Sequence, residues 1–253
     1  MRNKITSAAE DVAIVQSGDA AMLKRSTRTI TQRERSMIIR SGLIRNRDGV
    51  DFAAFSEHWR RVHGPLALRV EAMRAYRQNH ILARLPAREG DRLHRVDGIS
   101  QLWFDNVESI RVAMESDEQR ACIEDILEFL SDVTILIQQE SERRLHGNVD
   151  RLPVKFIHLL AGQEAAMKNM EDRLFADLAA SFANAALRVN RIVDRGFSVD
   201  STVSAGGQVI DAVLELWLPQ GTHHAVAQRL LSQSLDIGII GAFRVDELIL
   251  KEA

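Results

Sequence analysis

The feature that most constrains this chain is that part of it is written twice. Asp97-Gly98-Ile99-Ser100-Gln101-Leu102-Trp103 is paralleled by Asp211-Ala212-Val213-Leu214-Glu215-Leu216-Trp217, with Asp, Leu and Trp at the same mutual spacing. Asn79-His80-Ile81 likewise parallels Asn190-Arg191-Ile192. Internal self-similarity is the mark of a repeated structural unit.

The order of expected elements repeats too. Ile38–Ile44 reads as a strand, and Asn46-Arg47-Asp48-Gly49 as a turn. Asp51 is placed to cap a helix that carries Phe52, Phe55 and Trp59 on one face. Gly64-Pro65 is expected to interrupt that helix, because proline lacks the amide proton a helix interior needs. Strands are expected over Tyr76–Leu82 and Gly98–Phe104, with a polar loop over Pro86–Arg95 between them. One long helix is expected over Val107–Phe129 and a fourth strand over Val133–Gln139. This is β-α-β-β-α-β, the ferredoxin-like order. The second half repeats it: strand Val154–Leu160, helix Ala165–Ala183, strands Leu187–Val193 and Val209–Leu218, helix Thr222–Ser234, and strand Phe243–Leu250.

The expected organisation is therefore an arm over 1–36, a first unit over 37–140, a linker over 141–152 and a second unit over 153–253. The arm, rich in charge around Lys24–Arg28, lacks apolar periodicity and reads either as loosely packed or as wrapping a partner subunit. A four-stranded sheet with helices on one side leaves its other face bare, and that face must be covered. Two units in one chain cover it internally. The expected fold class is α+β: two ferredoxin-like units, sheets facing each other, forming a pseudo-dimeric α+β barrel within one polypeptide.

Composition bounds the function. A net charge of -2 gives no electrostatic case for nucleic acid. The single cysteine, Cys122, excludes an intrachain disulfide and suits a reducing, cytoplasmic setting. The sequence has no apolar run of about 18 residues, so no membrane span is expected.

The halves differ in chemistry. Only the first carries Phe55-Ser56-Glu57-His58-Trp59-Arg60-Arg61-Val62-His63-Gly64-Pro65-Leu66, and only it has a tyrosine, Tyr76. The corresponding helix of the second reads Leu174-Phe175-Ala176-Asp177-Leu178, which is packing material. A site is expected in the first half alone. The quoted run, with Tyr76-Arg77-Gln78-Asn79-His80 and Leu102-Trp103-Phe104-Asp105, resembles the EthD family over roughly residues 37–140. The resemblance implies an α+β barrel, and activities among isomerases, dehydratases and related catabolic proteins. A similar fold, methylmuconolactone methylisomerase, looks to use a histidine and a tyrosine in comparable places, which here are His63 and Tyr76.

His63 reads either as an acid/base group or as a helix-end residue satisfying a carbonyl. Tyr76 reads either as a donor to a carbonyl or enolate oxygen or as a buried aromatic. Strand alternation puts Gln78 and His80 on the face of Tyr76, and groups Asp97, Gln101 and Trp103 on a face of the third strand. With His58, these are the expected substrate-binding residues. The plainer readings are a turn for Asp97, which recurs as Asp211, and core packing for Trp103, which recurs as Trp217. No metal or other cofactor is expected: His58 and His63 are five apart, not the three or four that align two ligands on an α-helix, and Gly206-Gly207 precedes a strand, the wrong order for a dinucleotide loop.

Two functions are open on this reading. One is a cofactor-independent lyase or isomerase acting by proton transfer on a small aromatic or lactone-like molecule. The other is a non-catalytic binding or accessory protein of an oxygenase pathway. The expected partner is a small-molecule substrate, and a homodimer of the chain is allowed but not required.

Overall fold

Asp51 has an extended backbone and its carboxylate accepts the Ala54 amide, so helix α1 (Phe52–His58) starts where a capping residue stands. The computed structural model describes residues 36–86, 95–149, 152–199, 201, 203–221 and 236–252. Residues 1–35 of the expected arm, 87–94 of the expected loop and the helix expected over Thr222–Ser234 lie outside them.

The expected helix break at Gly64-Pro65 is not there. The chain passes from α1 into a π-helical turn (Trp59–His63) and on into α2 (Gly64–Ala67), with right-handed helical dihedrals at both junctions. Pro65 has no amide proton to give the Arg61 carbonyl. The Gly64 amide instead reaches back five residues to the Trp59 carbonyl. One widened turn absorbs the proline. The helix expected over Val107–Phe129 is also different: it is two helices, α3 (Val107–Met114) and α4 (Asp117–Phe129). Ser116 divides them, its hydroxyl donating to the Ala113 carbonyl and accepting the Gln119 amide.

The remaining elements are β1 (Ile38–Asn46), β2 (Ala75–Arg84), β3 (Gly98–Phe104), β4 (Leu130–Gln139), β5 (Arg144–His146), β6 (Val154–Ala161), α5 (Glu164–Ser181), β7 (Ala185–Asp194), β8 (Ala212–Leu218) and β9 (Gly238–Lys251). The short β5 falls in the expected linker. The two halves do not face each other as separate sheets. They join edge to edge, β2 with β9 and β4 with β7, in the closed order β4-β1-β3-β2-β9-β6-β8-β7. The result is an eight-stranded antiparallel barrel, with β5 added against Ala185–Leu187 of β7. Closure removes the sheet edges that would otherwise stay unpaired. The described residues from Met37 onward form one compact unit.

Closure also explains why β1, β3 and β8 are buried on both faces. One face of each strand meets helices, the other meets the barrel interior. In the first half the helix side packs Ile38, Ile44, Tyr76, Leu102 and Phe104 against Phe55, Trp59, Ile126 and Phe129. In the second it packs Phe156, Leu187, Val189 and Leu214 against Met167, Met170, Leu174 and Leu178. The interior mixes Leu43, Ile99, Ile157, Val213 and Phe243 with a polar network. There Lys155 bridges Glu215 at 3.0 Å and Glu247 at 2.5 Å, Gln101 donates to Glu215 at 2.7 Å, and Arg77 pairs with Glu247 at 3.3 Å.

The repeated aspartates do the same work in both halves. Asp97 Oδ2 accepts the Asn46 amide at 2.9 Å, and Asp211 Oδ2 accepts the Gly162 amide at 2.9 Å. Each latches the end of its unit's first strand. No described helix is long and apolar enough to cross a membrane.

Candidate active site

Between the first-half sheet and its helices lies a cavity of about 40 Å³, room for a few water-sized groups. His63 and Tyr76 both line it, with Trp59, Arg40, Gly42, Ser100, Gln119 and Cys122 among their neighbours. β1 brings Arg40 and Gly42, β2 brings Tyr76, β3 brings Ser100, the π-turn brings Trp59 and His63, and α4 brings Gln119 and Cys122. The rest of the wall is largely aliphatic and aromatic, including Ile126 and Phe129.

The π-turn decides the geometry of the histidines. A turn that closes over five residues aligns positions i and i+5, so His58 and His63 lie on one side of the helical ribbon. Both reach one carboxylate: His58 Nε2 to Asp125 Oδ1 at 2.9 Å, and His63 Nδ1 to Asp125 Oδ2 at 2.9 Å. Phe129 packs beside both rings, at 4.6 and 5.3 Å between centroids. Burial alone would raise the Asp125 carboxyl. The hydrogen bonds from His63 and His58 outweigh it and hold the group below its ordinary value. A carboxylate accepts, so His63 Nδ1 donates, and in the neutral ring Nε2 then carries the lone pair. That nitrogen has no protein hydrogen-bond partner among the described residues.

A second chain of hydrogen bonds runs along β2. The Trp59 carbonyl can only accept, so the Gln78 nitrogen that meets it at 2.8 Å is the amide donor. The same nitrogen donates to Tyr76 Oη at 3.0 Å. The Gln78 oxygen therefore faces His80 Nε2, which donates at 3.1 Å, and His80 Nδ1 accepts from the Ser56 hydroxyl at 2.7 Å. The chain is consistent only with a neutral His80, whose pKa burial pushes down to about 4. Tyr76 receives a hydrogen bond and keeps its own hydroxyl proton, and burial raises its pKa above the ordinary phenol value. It is a hydrogen-bond donor, not a phenolate. Burial likewise pushes the Cys122 thiol up to about 11, which argues against a thiolate nucleophile.

The expected site residues thus divide. His58, His63, Tyr76, Gln78 and His80 lie on the helix side of the first half, but of these only His63 and Tyr76 line the cavity; His58 is bonded to Asp125 and His80 to Gln78. Three others are corrected. Asp97 is a strand latch. Gln101 and Trp103 point to the barrel interior, because alternation along β3 puts them opposite Ser100 and Leu102. Gln101 is held by Glu215 and Asn79, and Trp103 donates to Glu140 at 2.9 Å.

Asp125 and Arg40 had not been singled out. Each left a trace. Asp125 sits three after Cys122 and four before Phe129, a charge on the buried stripe of α4. Arg40 is the one charged residue in the buried run Ile38–Ile44.

Register pairs the halves position by position. Opposite Phe104, Leu102 and Ser100 lie Ile38, Arg40 and Gly42; opposite Leu218, Leu216 and Leu214 lie Val154, Phe156 and His158. Tyr76 and Gln78 correspond in the same way to Leu187 and Val189. Arg40, Tyr76, Gln78 and Ser100 of the first half thus correspond to Phe156, Leu187, Val189 and Leu214 of the second. The second half nevertheless reaches the cavity. Its connection between β7 and β8 crosses to the first half, where Ser204 accepts the Val133 amide and Val199 joins the cavity wall. Among the described residues no group of three His, Cys, Asp or Glu stands together as a metal site.

The fold and this cavity define an antiparallel α+β barrel with a partly polar pocket under the helices of its first half. Residues 47–132 match the family model described as EthD domain. That matching segment holds the π-turn, Tyr76 and Asp125. An EthD family protein of Bacillus halodurans is 24% identical over 42% of this chain and 99% of its own, with a TM-score of 0.35. An anthrone oxidase-like protein is 9% identical, with 86% of this chain and 94% of its own covered and a TM-score of 0.52. A mutant chlorite dismutase from Candidatus Nitrospira defluvii, solved with cyanide, is 6% identical, with 85% and 91% covered and a TM-score of 0.52. At such identities the likeness is one of fold. No curated protein matches the chain.

Proposed function

We propose that the chain binds a small organic molecule in the first-half cavity and acts on it by proton transfer, as a lyase or isomerase that needs no cofactor. One observation carries the reading: His63 lines the cavity, is oriented by Asp125 through Nδ1, and leaves Nε2 without a protein partner. A base held by a carboxylate beside a cleft is the arrangement of general-base catalysis. Nε2 takes a proton from carbon beside a carbonyl, and the Tyr76 hydroxyl donates to the oxygen on which charge develops. The aliphatic and aromatic wall matches an aromatic or lactone-like skeleton in chemistry, and because the cavity is only about 40 Å³ the wall has to open to admit one. In this reading the chain is a tandem duplication, with units over 37–140 and 153–253, whose second unit closes the barrel and kept no site. The repeated strand order and the paired latches of Asp97 and Asp211 support it. Neither association into a homodimer nor a cytoplasmic setting is needed for the chemistry, and both are compatible with it.

The test is deuterium incorporation from D₂O into a panel of small aromatic ketones and lactones, followed by proton NMR. The expected result is enzyme-dependent exchange that His63→Ala lowers by about a hundredfold or more. Exchange that survives His63→Ala, or none with any compound, overturns the reading.

A further inference from the structure

Building on that reading of the cavity, we propose that its ligand carries a carboxylate, held by Arg40. Arg40 is 7% exposed and lines the cavity. Its Nε has no hydrogen-bond partner, and its guanidinium forms no ion pair among the described residues. A buried charge without a partner is costly, so cations inside a fold are paired. Lys155, at 3% exposure, obeys that rule and holds Glu215 and Glu247. Arg40 faces the cavity instead of an acid.

The fold does not need an arginine there. The matching position in the second half is Phe156, fully buried in an apolar core. Nor does the cavity supply an anion of its own: no Asp or Glu lines it. Asp125, the nearby acid, is taken by two histidines. What the cavity does supply is donors and room. The Tyr76 hydroxyl has its proton to give, and Gln119 adds an amide. Gly42, on the same face of β1 as Arg40, keeps the floor open: a Cβ there would lie 2.7 Å from Ser100 Oγ. One guanidinium among mostly apolar walls matches a monoanion, and its planar fork matches the two oxygens of a carboxylate. With the carboxylate on Arg40, the rest of the ligand lies among residues that include Tyr76 and His63.

The experiment is calorimetric titration of the full chain with acetate and with acetamide, its neutral isostere of nearly the same size. The expected result is acetate binding at least tenfold tighter than acetamide, with that preference lost in Arg40→Met and in Arg40→Gln. Acetate binding should persist in His63→Ala, which separates this inference from the catalytic one. Loss of proton exchange with acetate binding intact supports both. Exchange that survives His63→Ala, with acetate still dependent on Arg40, leaves the anion site standing and removes the catalytic role. Acetate binding no tighter than acetamide to the folded wild-type chain, or equally tight to a folded Arg40 variant, overturns the proposal. The wild-type comparison decides the matter even if neither variant folds.

Discussion

His63 and Asp125 are 62 positions apart, yet their contact gives the imidazole its orientation. Asp125 touches no reacting atom in the proposed chemistry, so it is a positioning residue. Asp125→Asn should lower kcat by about a hundredfold with KM within about twofold, whereas loss of mere structural support would change both. Tyr76→Phe should lower kcat by about tenfold or more. Its Tm should stay within a few degrees of wild type, because only a hydroxyl is lost and the ring stays buried. Arg40→Met should raise the melting temperature of the ligand-free chain, since it removes a buried charge without a partner and fills the space with apolar surface. A lower melting temperature would mean that Arg40 is paired in solution.

At the scale of elements, the π-turn is the part on which the site depends. Gly64 is where it meets the sheet. A Cβ at Gly64 would lie 3.1 Å from Leu250 Cδ1, 3.2 Å from Gln78 Nε2 and 3.3 Å from the Trp59 carbonyl. Gly64→Ala should therefore cost about 1–3 kcal/mol in denaturant unfolding, and should reduce activity as well by moving the helical ribbon off Gln78. An unchanged midpoint with full activity would show that the turn has slack. The Gly64-Pro65 pair was legible in the sequence as a disturbance, but its form was not. A proline can end a helix, kink it or be absorbed by a wider turn, and the choice rests on what accepts the freed groups. Here the Trp59 carbonyl receives both the Gly64 amide and Gln78 Nε2, and the latter comes from another strand. The division of Val107–Phe129 was legible in principle, because Ser116 stands three before Gln119 as in a capping box.

At the scale of the molecule, the barrel interior joins the halves by buried charge. Gln101 and Arg77 come from the first half, and Lys155, Glu215 and Glu247 from the second. Glu215→Gln should destabilise by about 3 kcal/mol, because it leaves Lys155 short of one buried partner. The pH dependence has a definite sign. Burial depresses His80 to about 4 and His158 to about 3, so between those values and about 6.5 the unfolded chain binds more protons. Their contribution to stability is whole above about pH 6.5 and is lost as pH falls through the folded values. Burial opposes ionisation of Glu215, but Lys155 and Arg188 outweigh it and hold the carboxyl low. Its contribution is present above the unfolded carboxylate value of about 4.3 and is lost below it. The melting temperature should thus begin to fall near pH 6.5, before ordinary carboxylates titrate, and His158→Leu should flatten the slope above about pH 5. A flat profile between pH 7 and 5 in the wild type would contradict this.

Local or repeated features were legible without the fold: most of the strands, the Asp51 cap, the α+β order and the twofold pattern of Asp-to-Trp segments. These follow from side-chain periodicity and backbone restriction, which act over a few residues. The tertiary structure alone decided that the strands close into one barrel and that Gln101 and Trp103 face its interior. It also decided that two histidines five apart share one carboxylate, and that Arg40 is left without one. Those outcomes depend on groups brought together from distant parts of the chain, and no short-range pattern records which acid a buried cation will meet.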